Sequence, residues 1–218
     1  ELALKSVYLY RFASLDWLGP FAQVSLDTQL FHGYDVRAEP VTIIRNKLDG
    51  TVVTRAVPSQ VRFALTKPFE PLMLKESAGF FAAPIEEELI KLKTKLGVGF
   101  QHLIAQDGFA LVEDRTTELE YKQLENTTET GGLVDVTAEG RLAENISWGA
   151  NGSYFYPFFG SDKSGFDASS IELGAKLSVK LAKWLSVDYV LAAKWLPQII
   201  EEWQVQNGIM VTLSHEII

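Results

Sequence analysis

"IKLKTKLGVGFQHLI", residues 90–104, changes character at every second position. Ile90, Leu92, Thr94, Leu96, Val98 and Phe100 fall on one side. Lys91, Lys93, Lys95, Gly97, Gly99 and Gln101 fall on the other. Successive side chains of a strand point to opposite faces, so the stretch predicts a strand with one apolar face and one face of lysine and glycine. In a soluble barrel or sandwich the apolar face is the core. In a membrane barrel it meets lipid, and the lysines line the lumen.

The same period of two recurs in runs at 21–31, 133–142, 146–156, 170–181 and 185–195. It is less tidy at 3–13, where Val7 and Leu9 sit opposite Leu4, Tyr8, Tyr10 and Phe12, and at 72–83, and a mixed run at 203–218 alternates from Val205 to Leu213. In 170–181, for example, Ile171, Leu173, Ala175, Leu177, Val179 and Leu181 oppose Glu172, Gly174, Lys176, Ser178 and Lys180. No segment carries a long apolar stripe at helical spacing. Residues 84–93, "PIEEELIKLK", have the opening of a helix, but their continuation is the strand quoted above. In 72–83, Glu76 shares a face with Leu72, Leu74, Ala78, Phe80 and Ala82. This exception is expected at a strand end or at a bulge that shifts the register. Short connections are expected near Asp16–Gly19, Pro84–Glu88, Ala143–Asn145 and Ala182–Trp184, and long ones near 32–69, 105–129, 158–168 and 196–203. The 32–69 connection contains a hairpin signal, "TIIRNKLDGTVVTRAV", turning at Asp49-Gly50.

Composition narrows the function classes. The chain has 218 residues, 47% of them apolar, which argues against disorder. Its net charge of −8 argues against a nucleic-acid partner held by phosphate neutralisation. With no cysteine, disulfides, thiolate metal sites and cysteine nucleophiles are excluded. No run reaches the roughly 20 continuous apolar residues of a membrane helix, so any crossing is made by strands. A start at Glu1 without an initiator Met is expected of a processed or truncated chain.

Three features favour lipid outside over core inside. The alternating runs are about as long as the 9–11 residues of a tilted membrane strand, whereas soluble strands average about 5–6. Aromatic residues suited to a membrane interface stand near strand ends: Tyr8, Tyr10, Tyr154, Tyr156, Trp184, Trp195 and Trp203. The polar face mixes charge with Gly and Ser, which leaves room for long side chains in a narrow lumen. On "KLKTKLGVGFQ", "VDVTAEGRLAENISWGANGSYFY", "SIELGAKLSVKLAKWLSVDYVLAAKW", "WLGPFAQVSLDTQLF" and "NGIMVTLSHEII", the chain resembles the bacterial outer-membrane β-barrels as a class. The resemblance covers most of 3–31 and 70–218. Members commonly end in an aromatic residue, whereas this chain ends Glu216-Ile217-Ile218.

The resemblance implies an all-β fold: a single antiparallel up-and-down transmembrane barrel spanning 1–218, of about ten strands within a range of about eight to twelve. Nine runs are visible, so an even count needs one strand more, before Glu1 or from 40–66. It implies an integral protein of the Gram-negative outer membrane, in contact with lipid and lipopolysaccharide. The extracellular connections 32–69 and 105–129 would reach other envelope proteins. A lumen charge network is expected from Lys91, Lys93, Lys95, Arg141, Lys176, Lys180 and Lys194 with Asp27, Asp135, Glu139, Glu172 and Asp188. Mixed signs favour a side-chain plug over a pore, because small barrels fill their interiors and buried ions need partners. The expected role is structural or partner-binding. A narrow channel is the alternative, followed by an outer-membrane enzyme or a soluble lipocalin-like barrel.

No chemistry-bearing motif competes with this. His32, His102 and His215 lie far apart and outside any HExxH pattern. No G-x-S-x-G occurs, so no catalytic residue, metal ligand or cofactor is assigned. Gly97–Gly99 lacks the following helix of a nucleotide loop. The sequons at Asn126, Asn145 and Asn151 are coincidental on a bacterial barrel. "EDRTTELEYKQLE", 113–125, is expected as a charged loop or strand extension.

Overall fold

A computed structural model describes residues 2–105, 108–161, 165–182 and 184–213. They form fifteen strands: β1 (Leu2–Leu9), β2 (Leu18–Thr28), β3 (Gly33–Val36), β4 (Val41–Asn46), β5 (Val52–Val57), β6 (Arg62–Thr66), β7 (Leu72–Glu86), β8 (Lys91–Ile104), β9 (Phe109–Asp114), β10 (Glu118–Gln123), β11 (Thr127–Ala143), β12 (Ile146–Phe159), β13 (Ser170–Ala182), β14 (Leu185–Leu196) and β15 (Ile200–Leu213). Among the described residues the only helical element is a 3-10 turn, Gly165–Ala168.

Each of the nine alternating runs contains a strand of one antiparallel sheet, in the order β1-β2-β7-β8-β11-β12-β13-β14-β15. β1 stops at Leu9, short of the run to residue 13, and the end of the 203–218 run, 214–218, lies outside the described residues. Removing β3–β6 and β9–β10 leaves a meander in which every strand pairs with its neighbour in the chain. Both insertions leave from the same end of this sheet, after Thr28 and after Ile104. The opposite end carries the links at 10–17, 87–90 and 144–145 and the one between β13 and β14. The first is a longer connection than the one expected at Asp16–Gly19, because β1 stops at Leu9 and β2 already begins at Leu18. The connection placed near 196–203 is short, since β15 already begins at Ile200.

The sheet curls into an open half-barrel with polar residues on its concave side. Part of the reason is a strip of backbone without side chains. Gly99 of β8 pairs with Gly131 of β11, and the Phe155 ring from β12 lies over them. A Cβ at Gly131 would stand 2.1 Å from the Tyr156 backbone oxygen and 2.8 Å from Phe155 Cζ, so bare backbone is required there both by the adjoining strand and by the ring. Phe155 is 2% exposed and packs with Phe21, Phe81 and Leu133, tying β2, β7, β11 and β12 together inside the curve. Burying each such ring is worth about 1.5–3 kcal/mol.

Closure is where the outcome departs from the single closed barrel. β1 and β15 are the two edges of the sheet and do not pair with each other. Counting along the meander gives the reason. With nine strands the first and last run in the same direction, so an antiparallel seam between them is geometrically impossible. Residues 40–66 do not supply the missing wall strand, because β4 and β5 belong to another sheet. Glu76 sits neither at a strand end nor at a bulge. It pairs in unbroken register with Val24 and Phe100, and the β7–β8 shift falls later, between Ala82 and Ile85. Its carboxylate therefore stands exposed on the outer, apolar face.

The two insertions fold together into a cap. β4 and β5 form the hairpin expected at Asp49-Gly50, with Gly50 at φ +80°. Of the two expectations for "EDRTTELEYKQLE", charged loop or strand extension, it is the strand that forms: the segment supplies most of the β9–β10 pair, and β10 lies parallel to β4. The resulting sheet runs β5-β4-β10-β9, beside a two-stranded β3-β6 ribbon. Val41, Ile43, Val57, Phe63, Leu119 and Tyr121 form its own buried core, with Leu119 fully enclosed.

Candidate functional site

The site worth building is the concave face of the large sheet. Alternation places Lys5 on β1, Gln23, Ser25 and Asp27 on β2, Lys75 on β7, Lys95 on β8, Asp135 on β11, Asn151 and Ser153 on β12 and Glu172 on β13 around one cavity of about 250 Å³. Lys75 and Glu172 are in direct ion-pair contact across the curve, although β8, β11 and β12 separate their strands in the sheet. This contact shows how far the sheet has curled. Lys95 reaches Asp135 at 3.9 Å and donates to the Gln23 side-chain oxygen at 2.5 Å. Its ammonium also lies 5.5 Å from the centre of the Phe21 ring. Charges and apolar rings thus share the concave side, β2 carrying Phe21 as well as Asp27 and β7 carrying Phe81 as well as Lys75.

Above this centre, towards the cap, Asp27, Lys75, Lys194, Gln204 and Gln206 line a cavity of about 520 Å³. Gln198, in the β14–β15 link, donates to Gln101 at 3.3 Å and bonds with Ser170 at 3.2 Å, bridging two walls. Below it, at the short-turn end, Lys91, Lys93, Lys95, Asp135 and Glu139 surround about 240 Å³ with Val7 and Leu9. Near the β15 edge, Asp188 is 2% exposed. It accepts from Lys176 at 2.8 Å, from Thr212 at 3.1 Å and from Ser178.

The charges expected in the lumen therefore divide into groups. Lys95, Asp135 and Glu172 meet in the central cluster. Lys91, Lys93 and Glu139 line the short-turn end, Lys194 the upper cavity, and Lys176 and Asp188 the β15 side. Arg141 turns to Glu88 in the β7–β8 link at 3.3 Å, with both side chains largely exposed. Lys180 is exposed near the end of β13. Sequence reasoning left Lys5 and Lys75 out of the charge network and put Gln101 on the lysine face without giving it a role. Lys75 has the correct parity opposite Leu74 and Ala78, but Glu76 beside it obscured the pattern. Among the described residues, no three His, Asp or Glu side chains are grouped so as to hold a metal ion.

The convex face is the reverse. Leu96 (63% exposed), Val98, Leu173, Leu177, Val205, Ile209 and Val211 all project outward without cover. The aromatic residues stand in two bands. Tyr8, Tyr10 and Trp184 lie at the short-turn end, and Tyr154, Tyr156, Trp195 and Trp203 at the cap end. Trp195 and Trp203 are cross-strand partners with ring centres 6.0 Å apart, and Phe166 stacks on Trp195 at 6.3 Å.

The cap is joined across its insertions by charge as well as by β4–β10 pairing. Arg37 donates to both Asp114 carboxylate oxygens at 3.0 Å and to Asp35 at 2.5 Å. These acceptors, Asp114 first, raise the guanidinium pKa above its ordinary value. Asn46 donates to Glu120 at 2.6 Å. Burial pushes the Tyr121 phenol up. Comparison with protein-family models, with curated proteins and with solved structures finds no match for this chain.

Proposed function

We propose that the curled sheet is the wall of an integral β-barrel in the outer membrane of a Gram-negative envelope, that its lumen is plugged by its own side chains, and that its role is structural and partner-binding through the cap. One observation carries this reading: the apolar face of a nine-stranded sheet is the outer face, uncovered over its whole width, while ion pairs fill the inside. In water such a face is a large unpaid exposure of apolar surface. Against acyl chains it is the required one. A soluble barrel built around an apolar cavity needs the two faces exchanged.

The hydrocarbon interior also requires every backbone polar group to be paired. The β1 and β15 edges meet this requirement if one further strand, antiparallel to both, lies between them and brings the wall to ten. Lipid and lipopolysaccharide are then the partners of the outer face. Envelope proteins are the partners of the cap, which rises from the end opposite the tight turns. The mixed interior charge supports a plug rather than a conducting pore.

The absence of native cysteine makes the test direct. In single-cysteine variants at Leu92 and Lys93, the position-92 thiol is expected to react with a lipid-phase probe and the position-93 thiol to be protected from it. The protein is expected in the outer-membrane fraction and to need detergent for solubility. The opposite labelling pattern, or a protein soluble without detergent, overturns the assignment. A large steady current in planar bilayers overturns the plug and leaves a channel.

A further inference from the structure

The cap contains a cavity of about 630 Å³ beneath the β4–β5 hairpin, between β4, the start of β9 and the segment leading into β7. Arg45, Lys47, Lys67, Glu70, Phe109 and Gln123 are among its lining residues. Arg45 is unusual there. It continues the parity of Val41 and Ile43, both buried, so its side chain lies on the core-facing side of the cap sheet. Its register partners are Val53 on β5 and Tyr121 on β10, neither of which is a carboxylate. The guanidinium carbon lies 5.3 Å from the centre of the Phe109 ring, which holds the planar group in place. Its Nε is buried and has no acceptor among the described residues. A buried donor left without an acceptor carries its full desolvation cost.

The surrounding charges do not relieve it. Glu70, which lines the cavity, is engaged by Lys67 at 3.4 Å. Asp49, also at the rim, accepts from the Thr51 backbone N–H at 2.9 Å and faces Lys47 without a direct ion pair. Glu120 lies on the other face of β10, bonded to Asn46. Lys47 follows Arg45 by two residues and enters the same cavity. Neither cation has an ion-pair partner among the described residues. A guanidinium held against the Phe109 ring, a second, exposed ammonium two residues on and a cavity lined by both make a receptor for an oxyanion.

We propose that this cavity binds a phosphate group, with Arg45 donating to its oxygens in the plane of the guanidinium and Lys47 supplying the second charge. Phosphate fits better than a carboxylate because it offers oxygens in more than one direction and up to two charges to two cations. The group belongs either to a soluble phosphate ester or to a lipid headgroup at the membrane surface. The inference rests on the cap alone and does not depend on the membrane assignment.

The full chain, purified in detergent, is titrated with inorganic phosphate by calorimetry, alongside Arg45→Met, Lys47→Gln and Arg55→Gln. Arg55, on neighbouring β5, is a cation outside the cavity lining and serves as the control. Saturable binding is expected, weakened about tenfold or more by Arg45→Met and Lys47→Gln and left within about twofold by Arg55→Gln. Lys47 is exposed, so its variant remains informative if Arg45→Met disturbs the cap. Absence of saturable phosphate binding overturns the proposal, as does equal weakening by all three variants. Nanodiscs of phosphatidic acid and of phosphatidylcholine then separate the sources. Arg45-dependent preference for phosphatidic acid, whose phosphate is a monoester, assigns a lipid headgroup. Equal response to both lipids, with free phosphate still bound, assigns a soluble ester.

Discussion

The wall and the cap are built from the same alternation and resolve it in opposite directions. In the cap, Val41, Ile43, Val57, Leu119 and Tyr121 turn towards one another and are buried, while Glu118, Lys122 and Arg55 remain outside the core. In the wall, Leu96, Leu173 and Val205 turn outward, and Lys75, Lys95, Asp135 and Glu172 turn in. A period of two specifies that a strand has two unlike faces. It does not specify which face is covered. In the cap, two short insertions with little surface gain most by meeting each other. In the wall, the inward side is already occupied by ion pairs and four large apolar side chains, which leaves the rest of the apolar surface outside.

The sharpest way to break this contrast is to remove the same side chain from each region. Leu119→Ala is expected to destabilise the cap by about 2–5 kcal/mol, because it leaves an enclosed cavity. Leu96→Ala leaves no enclosed cavity and should have much less effect. Amide exchange of β4 and β10 against that of β8 measures both. Equal losses at the two sites would mean that the outer face of the wall is itself a packed interior.

Charge insertion gives the next largest effect, with the order of the two regions reversed. Leu96→Arg is expected to cost about 2–4 kcal/mol in a bilayer if the residue lies near mid-membrane. Val52→Arg, on the exposed β5 edge of the cap, should change stability by no more than about 0.5 kcal/mol. Folding titrations in liposomes compare the two, and a neutral Leu96→Arg would remove the lipid-facing assignment.

The interior of the wall supplies a smaller effect. Lys75→Met leaves Glu172 without its main cation and is expected to cost about 1.5–3 kcal/mol. Adding Glu172→Leu should recover most of that loss, since replacing both partners removes the unpaired charge. Denaturant unfolding of the single and double variants reads the difference. A double variant no better than the single would show that the pair does not act as a unit.

The smallest expected effect lies in the cap hairpin. The Thr51 backbone N–H, then its side chain, hold the Asp49 carboxyl below the usual carboxylate range. The folded pKa is depressed, so the turn's stabilisation is fully present above the unfolded value of about 4 and is lost as pH falls through the lower folded value. The Asp49 carboxyl chemical shift and the Thr51 amide exchange rate should therefore change together below about pH 4. Exchange at Thr51 that is flat through the Asp49 titration would detach the turn from that carboxylate.

Much of this was legible because it is periodic. The nine wall strands, the tight turns at one end and the Asp49-Gly50 hairpin are all written in local alternation and turn chemistry. The cap sheet was hidden because β4 and β10 are separated by about seventy residues and pair in parallel, a relation without local signature. Leu119 and Tyr121 were obscured by Glu118, Glu120 and Lys122 around them, although those residues simply occupy the other face. On the concave face, parity identified which side chains share a side. Only curvature decides which of them touch, as Lys75 and Glu172 do across three intervening strands.

The sequence by itself determined that the chain is made of two-faced strands, roughly where each lies, and which residues stand on the same side of each. Those properties depend on neighbours one or two residues apart. The tertiary structure alone decided that the polar face is concave and that the insertions join into one cap. It also left the nine-stranded sheet with two edges running the same way. Those outcomes depend on the summed twist of many strands and on contacts between segments far apart in the chain, and no local pattern encodes either.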